Sequence, residues 1–102
     1  MGMMKHRVII PKFEAFDKNW LINNFNCPVV PLSYSELMVC AGRITHSKFN
    51  LYSLSTSDGV SGTGWQVWRQ KMFNIKTREI NWITIGEFEN KEQAVLFELR
   101  WA

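Results

Sequence analysis

TrpGlnValTrpArgGlnLysMetPhe (65–73), AsnIleLysThrArg (74–78) and GluIleAsnTrpIleThrIleGlyGluPhe (79–88) decide the fold. The first and third segments are rich in β-branched and aromatic residues, which suit a pleated, half-buried surface. The middle five form a turn, so the whole reads as a β-hairpin. Alternation puts Trp65, Val67, Arg69 and Lys71 on one side of the first strand. Gln66, Trp68, Gln70 and Met72 fall on the other.

Downstream, Asn90 caps a last helix, with Gln93 at the reciprocal position. Ala94, Phe97 and Trp101 form one apolar face of it, and Val95, Leu96 and Leu99 a second. The first face should cover the sheet. The second is expected to receive the helix of Trp20 or of Met38, with a partner chain as the alternative.

Upstream, SerAspGlyValSerGlyThrGly (57–64) reads as a flexible loop, because three of the chain's six glycines sit there. LysPheAsnLeuTyrSerLeuSerThr (48–56) precedes it as a strand. SerTyrSerGlu (33–36) has capping-box spacing and opens a short helix through Ala41, with Gly42 at its end. A strand over 36–44 is the alternative. ProValValPro (28–31) is extended, because a proline blocks the helical region for the residue before it. Asp17 caps a helix through Phe25, and LysHisArgValIleIle (5–10) is a first strand stopped by Pro11. The expected architecture is α+β: an antiparallel sheet of three or four strands with two short helices and a C-terminal helix packed on one face of it.

The chain has 102 residues, 46% of them hydrophobic and 21% charged. That suits one domain spanning residues 1–102 and does not suit a disordered tail. No apolar run approaches the ~20 residues of a membrane span, and no signal-peptide pattern leads the chain, so a cytoplasmic protein without a membrane partner is expected. Cys27 and Cys40 form no metal-binding pattern with His6 and His46, and are expected to be free thiols.

Chemistry is scarce. A nucleophilic cysteine needs a hydrogen-bonded histidine, and Cys40 lies in a proposed packed helix. A carboxylate pair needs two acids held apart in a cleft, but the glutamates crowd into the C-terminal part. Gly59, Gly62 and Gly64 lead into a strand, not into a helix with a phosphate-binding lysine. The expectation is a non-catalytic protein with no cofactor and no metal site.

Charge points elsewhere. Twelve Lys and Arg against nine Asp and Glu give +3. Residues 39–78 carry six cations against Asp58 alone, whereas the tail is acidic. Five tryptophans are present: Trp20, Trp65, Trp68, Trp82 and Trp101. With Trp68 and Met72 turned to the core with the final helix, Arg69 and Lys71 would stand on an open sheet face beside Trp65. Lys76 and Arg78 would continue the strip at the hairpin tip. Cations around a flat ring suit a phosphate backbone with a stacked base or sugar. In the alternative, Trp65 closes the edge of the core and the cations extend into water.

The residues GlyTrpGlnVal (64–67) and IleGlyGluPheGluAsnLysGluGlnAlaVal (85–95) resemble the DNA-binding domain of plant ethylene-response (Apetala-two) factors and of phage integrase arm-binding domains. The resemblance implies three strands and a helix, with the sheet in the major groove. By position it implies contacts from Trp65, Trp68 and Arg69, and from Arg78 on the hairpin partner. A fainter similarity to the Trp-Gly-Arg domain of poly(ADP-ribose) polymerases runs through Tyr52, Trp65, Val67 and Phe88 to Phe97.

Two functions follow as expectations. The first is binding of DNA or RNA through Trp65, Trp68, Arg69, Lys71, Lys76 and Arg78. The alternative is a small phage-type inhibitor or adaptor that sterically blocks a host enzyme or defence complex, with Val95, Leu96 and Leu99 as its hydrophobic centre. The chain itself is expected to be a monomer or a homodimer.

Overall fold

The computed structural model describes residues 5–25, 29–44 and 51–101. His46, Cys27 and the start of the strand expected from residue 48 lie outside them. The fold is α+β. Five strands form one antiparallel sheet: β1 (His6–Ile10), β2 (Val30–Pro31), β3 (Leu51–Gly62), β4 (Trp65–Asn74) and β5 (Glu79–Phe88). Their order is β1-β5-β4-β3-β2. Three helices accompany them: α1 (Lys18–Phe25), α2 (Tyr34–Ile44) and α3 (Lys91–Trp101). The extra strand is the two-residue β2, which pairs Val30 and Pro31 with Ser61 and Val60.

The helices start where their capping chemistry sets them. Asp17 Oδ1 accepts the Trp20 amide at 3.1 Å and opens α1. Asn90 Oδ1 accepts the amides of Glu92 and Gln93 at 2.7 and 3.3 Å and opens α3. At α2 the Ser33 amide donates to Glu36 Oε1 at 2.9 Å, and the Glu36 amide donates to Ser33 Oγ at 3.2 Å. This is a reciprocal capping box. The helix runs past Gly42, which is exposed and has no neighbour where a side chain would stand, to the buried Ile44. Packing of Cys40 and Ile44 against the sheet carries it through the glycine.

The capping box makes α2 pH-sensitive. The Ser33 amide holds the Glu36 carboxyl below its ordinary range, and the Ser33 hydroxyl adds to this. A carboxyl lowered on folding stabilises the fold above its unfolded pKa, and that contribution fades as pH falls through the folded pKa. Glu36→Gln should therefore be less stable than the wild type at neutral pH. The gap should close in acid, as read from urea unfolding at several pH values. Ser33→Ala should cost about 1 kcal/mol at neutral pH.

Both faces of the sheet are covered. On one, α1 and α3 pack over β1, β5 and β4 with Val8, Ile10, Val67, Phe88 and Phe97 in the core. On the other, α2 and Leu32 cover Trp68, Met72 and Ile85. The final helix and α1 share one face as expected, whereas α2 departs from the expectation of helices on a single side and lies on the opposite face. Both alternating residue sets of β4 are apolar near its start, and each needs its own cover.

The segment expected to be a loop, 57–64, is mostly strand. β3 continues to Gly62 and only Thr63 and Gly64 turn the chain, Gly64 with φ 77°. Its glycines answer close approach, not flexibility. A Cβ on Gly59 would lie 2.6 Å from Leu37 Cδ2 and 2.7 Å from Leu32 Cδ1. On Gly62 it would land on the Trp65 indole. A register shift between Ser57 and Gly59 marks a bulge at Asp58, whose φ is 49°.

Candidate nucleic-acid interface

Strand β4 spans ten residues, about 30 Å. The β4–β5 register fixes which residues share a face. Trp65 pairs with Phe88, Val67 with Gly86, Arg69 with Thr84, Lys71 with Trp82 and Phe73 with Ile80. All lie on the face that carries α1 and α3. Along this face burial stops midway. Trp65, Val67, Phe88, Gly86 and Thr84 are buried, whereas Lys71, Phe73 and Trp82 are part-exposed and Ile80 is 53% exposed. In the backbone register Tyr52 of β3 stands opposite Phe73.

The turn beyond is built by Asn74. Its Oδ1 accepts the amides of Lys76 and Thr77 at 2.9 and 3.1 Å, and its carbonyl accepts the Arg78 amide at 2.7 Å. Arg78 closes the turn with φ 61°. Lys76 and Arg78 are exposed there. The outer hairpin, 71–82, thus holds Lys71, Lys76 and Arg78 against the single acid Glu79.

Several expected contact residues sit elsewhere. Trp65 is 0% exposed, with the Phe25 ring 5.3 Å away, so the expected open face beside it is part of the main core. Trp68 is also 0% exposed and donates from Nε1 to Gln70 Oε1 at 2.9 Å beneath α2. It does face a core, but that of α2 and not that of the final helix. Arg69 shares the face of Lys71 and is committed inward. Its Nη1 donates to Asp58 Oδ2 at 2.8 Å, its guanidinium carbon lies 4.9 Å from the centre of the Phe16 ring, and its side chain is 15% exposed. Neither indole is placed to stack on a ligand, and Arg69 serves as a brace between β4, the β3 bulge and the segment before α1.

Trp82 is part-exposed and is the ladder partner of Lys71 on this face. Another part-exposed indole beside a cation is Trp101 at the end of α3, its ring 4.0 Å from the Arg100 guanidinium carbon. The sequence carried the signal for Trp82. Alternation along 79–88 sets Ile80 and Trp82 on one side, and hairpin pairing sets that side with Lys71. What hid it was where the helical cover of this face ends, which alternation does not tell.

The second expected site is on the surface. Val95, Leu96 and Leu99 are 43%, 41% and 70% exposed, so neither the helix of Trp20 nor that of Met38 covers them. Among the described residues no three His, Cys, Asp or Glu side chains converge to hold a metal ion. No described helix is long and apolar enough to cross a membrane. Comparison with known proteins finds no matching family model, no matching curated protein and no matching solved structure.

Proposed function

We propose that the protein binds nucleic acid without catalysing a reaction, and that the outer half of the β4–β5 hairpin is its contact surface. The observation that carries this reading is the pairing of Lys71 with Trp82 where the helices cease to cover the sheet, with Lys76 and Arg78 beyond. Lys71, Lys76 and Arg78 contact phosphates, and Trp82 packs against a sugar or base. Phe73 and Ile80 extend the apolar strip beside the ring.

The energetics are mainly those of counterion release. Three phosphate contacts give a slope of log affinity against log salt of about −2.7 on duplex DNA, or about −2.1 on a single strand. Gel-shift titrations of the full chain with duplex DNA, single-stranded DNA and RNA at rising salt read this slope and the preferred nucleic acid. Lys71→Glu with Arg78→Glu should abolish binding at moderate salt and leave the unfolding transition in place, because both side chains reach solvent. Trp82→Ala should weaken binding by about 1–3 kcal/mol if a base stacks on the ring. Absence of binding to all three nucleic acids at low salt would end the proposal.

A further inference from the structure

The sheet ends on β1, and among the described residues no strand lies beyond it. Its outer edge presents backbone donors and acceptors to whatever comes next. Helix α3 accompanies this edge: Lys12 Nζ donates to the Trp101 carbonyl at 3.2 Å, and a groove of about 360 Å³ separates helix and strand. His6 and Val8 line it from β1, and Lys91, Val95 and Glu98 from α3. No residue of β5 enters the groove, so it opens toward the sheet's edge. The exposed Val95 and Leu99 follow the same helix.

Lys5, Arg7, Lys91 and Glu98 are the charged residues that line the groove. Arg7 is paired with Glu87 at 3.1 Å, and the two charges on α3 are complementary to themselves. Lys91 and Glu98 both face the groove and stand two helical turns apart, about 10 Å. A copy of α3 running antiparallel alongside would set each Lys91 against Glu98 of the partner subunit. A two-fold axis at Val8 would set Arg7 against Ile9 of the partner subunit and His6 against Ile10 of the partner subunit, so no like charges oppose across the strands.

We propose that the chain forms a two-fold homodimer in which β1 pairs antiparallel with β1 of a second copy and α3 packs along α3 through Val95, Lys91 and Glu98. The sheet then runs through both subunits, and both α3 helices lie on one face of it. The two outer hairpins project in opposite directions. The dimer stands or falls independently of nucleic-acid binding, because the hairpin tips lie away from this edge.

The test is sedimentation equilibrium of the full chain, cleared of nucleic acid by nuclease, over rising concentration. The expected mass is twice the 12.0 kDa of one chain. Glu98→Lys should weaken the dimer about tenfold, because two attractive contacts become repulsive. Lys91→Glu should do the same. The double exchange, K91E with E98K, should restore the wild-type dissociation constant, and circular dichroism should confirm that each variant is folded. Hydrogen exchange of the β1 amides should slow as the dimer forms. The single-chain mass at every concentration overturns the proposal and leaves the edge for a different protein partner. So does a dimer indifferent to either charge reversal, or one that the double exchange fails to restore.

Discussion

Trp65→Ala should lower the unfolding free energy by about 3–5 kcal/mol, a large share of what holds a domain of this size together. The indole is wholly buried, between the Phe25 ring at 5.3 Å and the close approach of Gly62. Phe25 in turn meets Phe88 at 5.8 Å, and Phe88 meets Phe97 at 5.5 Å. One truncation therefore opens a cavity where α1, α3 and two strands converge. Removing the part-exposed Trp82 should cost less than removing the wholly buried Trp65. Urea unfolding of the two variants measures the contrast. A Trp65→Ala loss as small as that of Trp82→Ala would mean that the indole sits on the surface, one of the two placements that alternation along β4 left open.

Gly86→Ala is the second large effect, expected at about 1–3 kcal/mol. In an ordinary strand this change would help, since alanine restricts the unfolded chain more than glycine does. Here a Cβ would stand 2.6 Å from Phe88 Cε2 and 3.2 Å from Phe97 Cε2. Both rings are fully buried and have no room to yield. Thermal unfolding should show a midpoint lower by about 4–8 °C for each kcal/mol lost. A raised midpoint would mean that β5 and α3 stand farther apart than described.

The features legible in the sequence were those written in local chemistry. Asp17, the Ser33–Glu36 pair and Asn90 announce three helix starts, and each side chain makes the hydrogen bond its spacing implies. The β4–β5 hairpin was legible from its β-rich flanks and turn. What was hidden depends on contacts far apart in the chain. Alternation sorts β4 into two sets but does not say which set is covered, and here both are, Trp65 by α1 and α3 and Trp68 by α2. Gly59 looked like part of a loop because its cause, the nearness of Leu32 and Leu37, is tertiary. For the candidate site, Lys76 and Arg78 were legible as exposed cations, and Lys71 is part-exposed. Trp82 was not legible, since choosing it over Trp65 requires knowing where helical cover ends. Arg69 was misjudged for the same reason, its partners Asp58 and Phe16 being brought in by the bulge of β3 and the chain before α1.

Chemical-shift mapping of the labelled, full-length chain during addition of DNA or RNA addresses the outer hairpin most directly. Perturbations should concentrate on residues 71–82, with the Trp82 indole N–H among the largest, and should vanish at high salt. Shifts confined to β1, α2 or α3, or none at low salt, would contradict the assignment of nucleic-acid contact to this surface.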